Sequence, residues 1–103
     1  MIYIFWTSAN REEATKIIEE LLEKRLIACA SILPEVESIF RWKGKVEKAI
    51  ETKSILKTRR EHFEKIRSLI LEKGSYEVPE IAEIEAKRVN PSYFDWLNLE
   101  TKA

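Results

Sequence analysis

The sequence predicts an α+β fold in which an antiparallel sheet carries helices on one face. Runs rich in β-branched and aromatic residues alternate with segments whose apolar residues recur at helical spacing. A short glycine-containing turn joins two long strand-like segments, which indicates a hairpin. With 103 residues, the chain suits one domain spanning 1–103.

The first strand and helix follow directly from the local pattern. Met1–Thr7 is an apolar run that predicts a strand buried on both faces. Asn10 is placed to cap the next helix, with Glu13 as its capping-box partner, and the helix is expected to end near Arg25. One apolar stripe at helical spacing supports this helix: Ala14, Ile17, Ile18, Leu21 and Leu22.

The next two strands form the predicted hairpin. Leu26–Leu33 is an apolar run, and the strand resumes over Val36–Trp42 after an expected bulge at Pro34, which cannot donate to a ladder. Lys43-Gly44-Lys45 makes the turn, and Val46–Thr58 returns.

The remaining elements are a helix, a strand and a final helix. Thr58 and Glu61 predict a second capping box, and Gly74 stands where a glycine ends a helix. Val78–Val89 alternates apolar and charged residues, as a strand does, and Asn90-Pro91 is typical of a helix start. The stripe of the second helix is Phe63, Ile66 and Ile70.

The predicted order is therefore β-α-β-β-α-β plus a C-terminal helix, and its first six elements are the ferredoxin-like arrangement. The hairpin arms are about ten residues long, or roughly 33 Å, which exceeds the width of so small a globule. The overhanging tip carries Phe40 and Trp42. Because a lone two-stranded ribbon is marginally stable in water, we expect it to pack on another subunit.

Composition excludes several functional classes. Eighteen basic and 18 acidic residues cancel, which disfavours nucleic-acid binding. No apolar run is long enough for a transmembrane helix, and the N-terminal run lacks the features of a signal peptide. The single cysteine, Cys29, excludes an internal disulfide framework and favours a reducing, cytoplasmic setting. Abundant Glu, Lys and Arg suit a thermostable protein.

The candidate chemistry is sparse. The only histidine, His62, is expected to be a solvated surface residue, and Cys29 is either a nucleophile or a small buried hydrophobe. Glu77 and Glu80 flank Val78-Pro79, and Lys57, which should lie near an end of the sheet, could pair with one of them. Carboxylates could bind a hard cation and the thiol a soft one.

Two other functions share this element order. An acylphosphatase needs a glycine-containing anion loop after the first strand, but Thr7–Arg11 contains no glycine. An RNA-recognition module stacks bases on sheet aromatics, but its glycine- and aromatic-rich motif is absent from Val46–Lys57. We therefore expect no enzymatic activity and no nucleic-acid partner.

Five segments of the chain lie in the order and spacing of a known family: LIACASILP (26–34), SIFRWKGKVE (38–47), ILKTRREHFE (55–64), YEVPEI (76–81) and NPSYFDWL (90–97). Through these segments the sequence resembles the CutA divalent-cation-tolerance family over essentially its whole length. The resemblance implies a homotrimer with a role in tolerance of copper and other divalent cations, and no agreed enzymatic activity. No cofactor is certain; copper(II) or another divalent cation is the candidate ligand.

The resemblance also implies a site in clefts between subunits. Its residues by motif match are Cys29, Trp42, Lys57, Tyr76 and Glu80. Family members commonly carry His-Pro just before the tyrosine, where this chain has Gly74 and Ser75, so a metal here would use carboxylates, Cys29 or His62. The alternative is a trimeric regulatory or scaffold protein that binds a small ligand or a protein partner and has no metal role.

Overall fold

The computed structural model describes residues 1–102, which form a four-stranded antiparallel sheet and three α-helices. The strand order is β2-β3-β1-β4, which confirms the ferredoxin-like arrangement. No helix within residues 1–102 is long and apolar enough to cross a membrane. The elements are β1 (Ile2–Ser8), α1 (Arg11–Glu23), β2 (Cys29–Trp42), β3 (Lys45–Thr58), α2 (Phe63–Lys73), β4 (Ile81–Glu85) and α3 (Pro91–Glu100).

The core lies between the sheet and the first two helices. Ile2, Ile4 and Trp6 of β1 are at most 1% exposed, whereas the intervening Tyr3 and Phe5 are half-buried. The prediction that β1 is buried on both faces is therefore wrong for one face, because α1 and α2 cover only the other. Their contribution to the core is a set of aliphatic side chains: Ile17, Ile18, Leu21, Ile66, Leu69 and Ile70.

The predicted capping box of α1 forms only in part. Asn10 caps the helix, since its side-chain oxygen accepts from the Glu13 N–H at 2.9 Å. The Glu13 carboxylate does not return the bond to Asn10. It accepts instead from the Ser75 N–H at 3.2 Å, because the segment after α2 passes the start of α1. This bond ties that segment to the helix.

Two residues after the end of helix α1, Arg25 is in the left-handed region, with φ 58°. The Leu26 N–H donates to the Leu21 carbonyl at 2.9 Å. This bond is expected at a helix end when the residue before the donor, here Arg25, is left-handed. A side chain disfavours this conformation. We expect Arg25→Gly to raise the free energy of unfolding by about 0.5–1 kcal/mol, measured by guanidinium denaturation. An unchanged or lower value would show that the arginine side chain contributes at least as much stability as the strain costs.

The predicted capping box at Thr58 and Glu61 is wrong. Thr58 is the last residue of β3, and its buried hydroxyl donates to the Leu26 carbonyl at 2.5 Å. A 3₁₀ turn over Arg60–His62 follows, and α2 begins only at Phe63. The hydroxyl is therefore committed to the neighbouring loop and cannot cap a helix.

The end of α2 and the fourth strand also differ from the prediction. Gly74 is extended (φ −79°) rather than left-handed, but a Cβ there would lie 2.8 Å from the Ile70 carbonyl oxygen, so close packing requires the glycine. The strand predicted over Val78–Val89 is only Ile81–Glu85, because β1 offers pairing partners to that stretch alone. The predicted alternation of apolar and charged residues is present in β4. Ile84, however, is 50% exposed, on the face of the sheet away from the helices.

The predicted overhang is confirmed and is longer than expected. Both β2 and β3 have 14 residues, and β1 pairs only with Thr52–Thr58. The remaining two-stranded part, residues 36–51, is hereafter the ribbon. The register shifts between Leu33 and Val36, which confirms the bulge at Pro34. The ribbon lengthens the molecule to 45 Å, against 26 and 22 Å in the other directions.

The ribbon has two chemically different faces. Its tip is a two-residue turn with positive φ at Lys43 (49°) and Gly44 (80°), the combination that suits the twist of paired strands. One face, called the outer face, carries three aliphatic side chains that are diagonal neighbours across the strands. They are Ile39, Val46 and Ile50, which are 60%, 65% and 58% exposed.

Candidate functional site

The structure divides the five candidate residues between two places. Cys29 and Lys57 are direct partners across β2 and β3, near the end of the sheet that contacts α3. Trp42, Tyr76 and Glu80 line a concave surface on the same face of the sheet, but farther along β3, beside the ribbon. Within one chain, these two groups do not meet.

The Cys29 group is a thiol beside an ammonium. Lys57 Nζ lies 3.8 Å from Cys29 Sγ and also donates to the Ser31 hydroxyl. Cys29 is half-buried rather than buried, so its interpretation as a small core hydrophobe is wrong. Burial raises the pKa of Tyr93, and the charge and hydrogen bonding of the adjacent thiol add to the shift. The Tyr93 side chain, in α3, therefore lies against the Cys29 thiol.

Glu80 does have a lysine partner, but it is Lys53 and not Lys57, the candidate that the sequence offered. Lys53 Nζ lies 3.2 Å from Glu80 Oε1, which also accepts from the Thr7 hydroxyl at 2.7 Å. The reason is register. Thr7 is opposite Lys53 and its N–H bonds to the Glu80 carbonyl, whereas Lys57 is opposite Tyr3, four residues farther along β3.

Tyr76 is anchored to the base of the ribbon. Its hydroxyl donates to Glu51 Oε2 at 2.7 Å. Burial, together with this hydrogen bond to a carboxylate, raises the pKa of Tyr76 to about 12. The phenol is therefore neutral at physiological pH and remains a donor to Glu51.

The raised pKa of Tyr76 gives a pH prediction. Because the folded-state pKa lies above the usual 10, the phenol contributes stability that is complete below pH 10 and lost as the pH rises toward 12. We expect the tyrosinate absorbance of the folded protein to show a step near pH 12 that disappears in Tyr76→Phe. A step that persists in this variant would assign the titration to another tyrosine.

The concave surface, hereafter the cleft, has a volume of about 790 Å³. The ribbon forms one wall and the segment after α2 forms the other. Four glutamates and one lysine, Lys48, are among its lining residues, although the whole chain has no net charge. The charged and aromatic residues of the cleft are Phe40, Trp42, Glu47, Lys48, Glu51, Tyr76, Glu77 and Glu80.

Sequence reasoning missed the β3 residues of this site. Glu47, Glu51 and Lys53 have the same parity as Lys57, so strand alternation places all four on the face away from the helices. That parity was visible in the sequence. The partners were not, because the contacts of Tyr76 and Glu80 depend on where the segment after α2 crosses the sheet.

His62 is not the solvated residue that the sequence predicted. It is half-buried, and Nε2 lies 2.9 Å from the Thr101 carbonyl oxygen, so the ring binds the end of α3. Arg59 reaches the same helix end, donating to the Asn98 carbonyl at 2.6 Å. His62 therefore lies with α3 and does not line the cleft.

The described residues of one chain do not assemble a metal centre. No group of three or more His, Cys, Asp or Glu side chains within residues 1–102 could hold a metal ion. Glu80 is held by Lys53 and Glu51 by Tyr76. The carboxylates of Glu47 and Glu77 have neither a hydrogen bond nor an ion pair within the part of the chain that the structure describes.

Comparisons with known proteins agree with the fold. The family model described as "CutA1 divalent ion tolerance protein" matches residues 2–100. The divalent-cation tolerance protein CutA of Pyrococcus horikoshii is 41% identical over 102 residues, 99% of each chain. Its counterpart from Archaeoglobus fulgidus is 40% identical over 96 residues, 93% of each.

Solved structures match equally well. A crystal structure of CutA1 from Pyrococcus horikoshii superposes with a TM-score of 0.93 at 39% identity and covers 100% of both chains. The structure described as the periplasmic divalent cation tolerance protein CutA of Archaeoglobus fulgidus gives 0.95 at 37%, covering 99% of this chain and 100% of that one. The resemblance seen in the sequence is thus confirmed, and the chain belongs to the CutA1 divalent ion tolerance protein family.

Proposed function

We propose that this protein acts in divalent-cation tolerance as a homotrimer that binds cations, copper(II) among them, in clefts between its subunits, without catalysing a reaction. The observation that carries the proposal is the cleft itself. It is rich in carboxylates, yet a single chain lacks a group of ligands able to hold an ion within residues 1–102. A second subunit would supply the missing ligands.

The ribbon supports the oligomer. Three exposed aliphatic side chains on one face of an overhanging two-stranded arm form an unpartnered apolar surface. Each such side chain contributes about 1.5–3 kcal/mol when it is fully buried. Packing this outer face on a neighbour would leave the opposite face, with Trp42 and Glu47, open to the cleft.

The ligand set favours carboxylate coordination. The position at which the family resemblance implies an imidazole is Gly74, and His62 lies with α3. Glu47 and Glu77 are the exposed carboxylates of the cleft that have no side-chain partner within residues 1–102 to displace. Glu77 is the one in the segment next to Gly74, where the resemblance implies the imidazole, so we assign the ligand role to Glu77. A neighbour's Cys29 would add a soft ligand suited to copper.

Calorimetric titration of the chelator-treated protein with copper(II) and with manganese(II) tests this function. We expect stoichiometric binding that Glu77→Gln weakens by about tenfold, comparable to losing a supporting residue of a metal site. Glu83→Gln, in β4 outside the cleft, is the matched control. Weak, non-stoichiometric heat for both metals would contradict metal binding. Parallel titrations of Cys29→Ser and His62→Ala assign any remaining ligand.

The alternative is a trimeric regulatory or scaffold protein whose clefts bind a small ligand or a protein partner. The observation that favours it is the apolar part of the lining: Trp42 is 46% exposed and Val78 is 73% exposed. Neither side chain carries an atom that would coordinate a metal ion. For both functions we propose the cytoplasm, where Cys29 would stay reduced.

A further inference from the structure

The cleft combines aromatic rings with carboxylates. Phe40 and Trp42 alternate along β2 and therefore point to the same face of the ribbon, where they are 39% and 46% exposed. Glu47 is the direct cross-strand partner of Phe40. An aromatic face beside a carboxylate is the environment that an organic ammonium group prefers, since the ring quadrupole and the negative charge both attract it.

The carboxylates of the cleft are spread out rather than convergent. Glu47 and Glu51 lie four residues apart on one face of β3, which is roughly 13 Å along a strand. Within residues 1–102 they do not form a group that could surround one ion. A cation that matches this spacing has its charges distributed along a chain.

The protein's own lysines already make the same contacts at both ends of this region. Lys43 Nζ lies 5.9 Å from the centroid of the Trp42 ring. Lys53 Nζ lies 5.4 Å from the centroid of Phe5 and 3.2 Å from Glu80 Oε1. Aromatic and carboxylate groups here therefore accept primary ammonium groups in the geometry that the fold provides.

We propose that the cleft binds a linear polyammonium cation of the polyamine class. Its ammonium groups pair with Glu47 and Glu51, and its methylene chain lies over Phe40 and Trp42. This inference rests on the proposed function in one respect, because both use the carboxylates of the cleft. It differs in requiring the aromatic rings, which a metal ion does not need.

The test is calorimetric titration of the full-length protein with spermidine, which carries ammonium groups spaced along a flexible chain. Butylamine, with one ammonium group, and magnesium chloride, with charge but no chain, are the comparison ligands. We expect Trp42→Ala to weaken spermidine binding roughly threefold to thirtyfold. Glu47→Gln should weaken it roughly twofold to fivefold.

Two matched controls separate the cleft from general surface charge. Trp96→Ala removes an exposed tryptophan of α3, and Glu37→Gln removes a carboxylate from the outer face of the ribbon. Both should leave spermidine affinity unchanged. The proposal is overturned if spermidine does not bind, if magnesium or butylamine binds as tightly, or if the controls weaken binding as much as the cleft variants.

The two proposals fail separately. Spermidine and copper(II) are titrated separately into the same wild-type protein, so that each binding reaction is scored on its own. Metal binding without spermidine binding would overturn the polyamine proposal alone, including the case in which a neighbouring subunit covers the aromatic rings. Spermidine binding at the cleft without stoichiometric metal binding would overturn the metal function alone.

Discussion

Replacing Ile39 on the outer face of the ribbon with aspartate is expected to convert the proposed trimer into monomers at low micromolar concentration. Ile39 is 60% exposed in the single chain and lies diagonal to Val46 and Ile50. At a subunit contact, the variant would lose apolar burial and place an unpaired carboxylate there, and both effects oppose association. Every copy of the interface would carry the defect.

Sedimentation velocity measures this effect directly. Leu71→Asp provides the control, because Leu71 is also an exposed aliphatic residue, 41% exposed, but lies on α2 away from the ribbon. This variant should sediment as the wild-type protein does. A trimer that survives Ile39→Asp, or that dissociates equally in Leu71→Asp, would show that the outer face does not hold the subunits together.

Truncating Trp6 is expected to give the largest loss of stability within one subunit. Trp6 is 1% exposed and belongs to the cluster that joins β1 to α1 and α2. Trp6→Ala should lower the free energy of unfolding by about 3–5 kcal/mol, the range for deleting a large buried aromatic side chain. Guanidinium denaturation at fixed protein concentration measures it, since association would also stabilise the fold.

The exposed tryptophans calibrate the Trp6 result. Trp42→Ala and Trp96→Ala remove side chains that are 46% and 41% exposed. Each should therefore lower the free energy of unfolding by well under half as much as Trp6→Ala does. A loss at Trp6 no larger than theirs would mean that the cluster around β1 does not carry the stability of the fold.

The fold was predictable because local signals agreed with one another. The capping oxygen of Asn10, the bulge at Pro34 and the turn at Gly44 each lie where the local pattern placed them. The predictions that were wrong concern side chains whose bonding partners are distant in the sequence. Thr58 was predicted to be a cap, but its hydroxyl is bound to the Leu26 carbonyl, and Glu13 bonds to Ser75 rather than to its own helix start.

The candidate site was predictable only in part for the same reason. The carboxylates around Val78-Pro79 were recognised from their density, and Tyr76 and Glu80 do line the cleft. The choice between Lys53 and Lys57 as the partner of Glu80 required the register of β3 against β1. No tight turn joins those strands, so the sequence offers no local signal for that register.

The most direct test of the central claim compares copper(II) binding by the wild-type protein and by Ile39→Asp in parallel calorimetric titrations. Ile39 is on the opposite face of the ribbon from the cleft residues Phe40 and Trp42, so the variant leaves the cleft of each chain intact. If the site lies between subunits, the trimer binds the metal stoichiometrically and the monomer does not. Equal affinity in the monomeric variant would contradict an inter-subunit site.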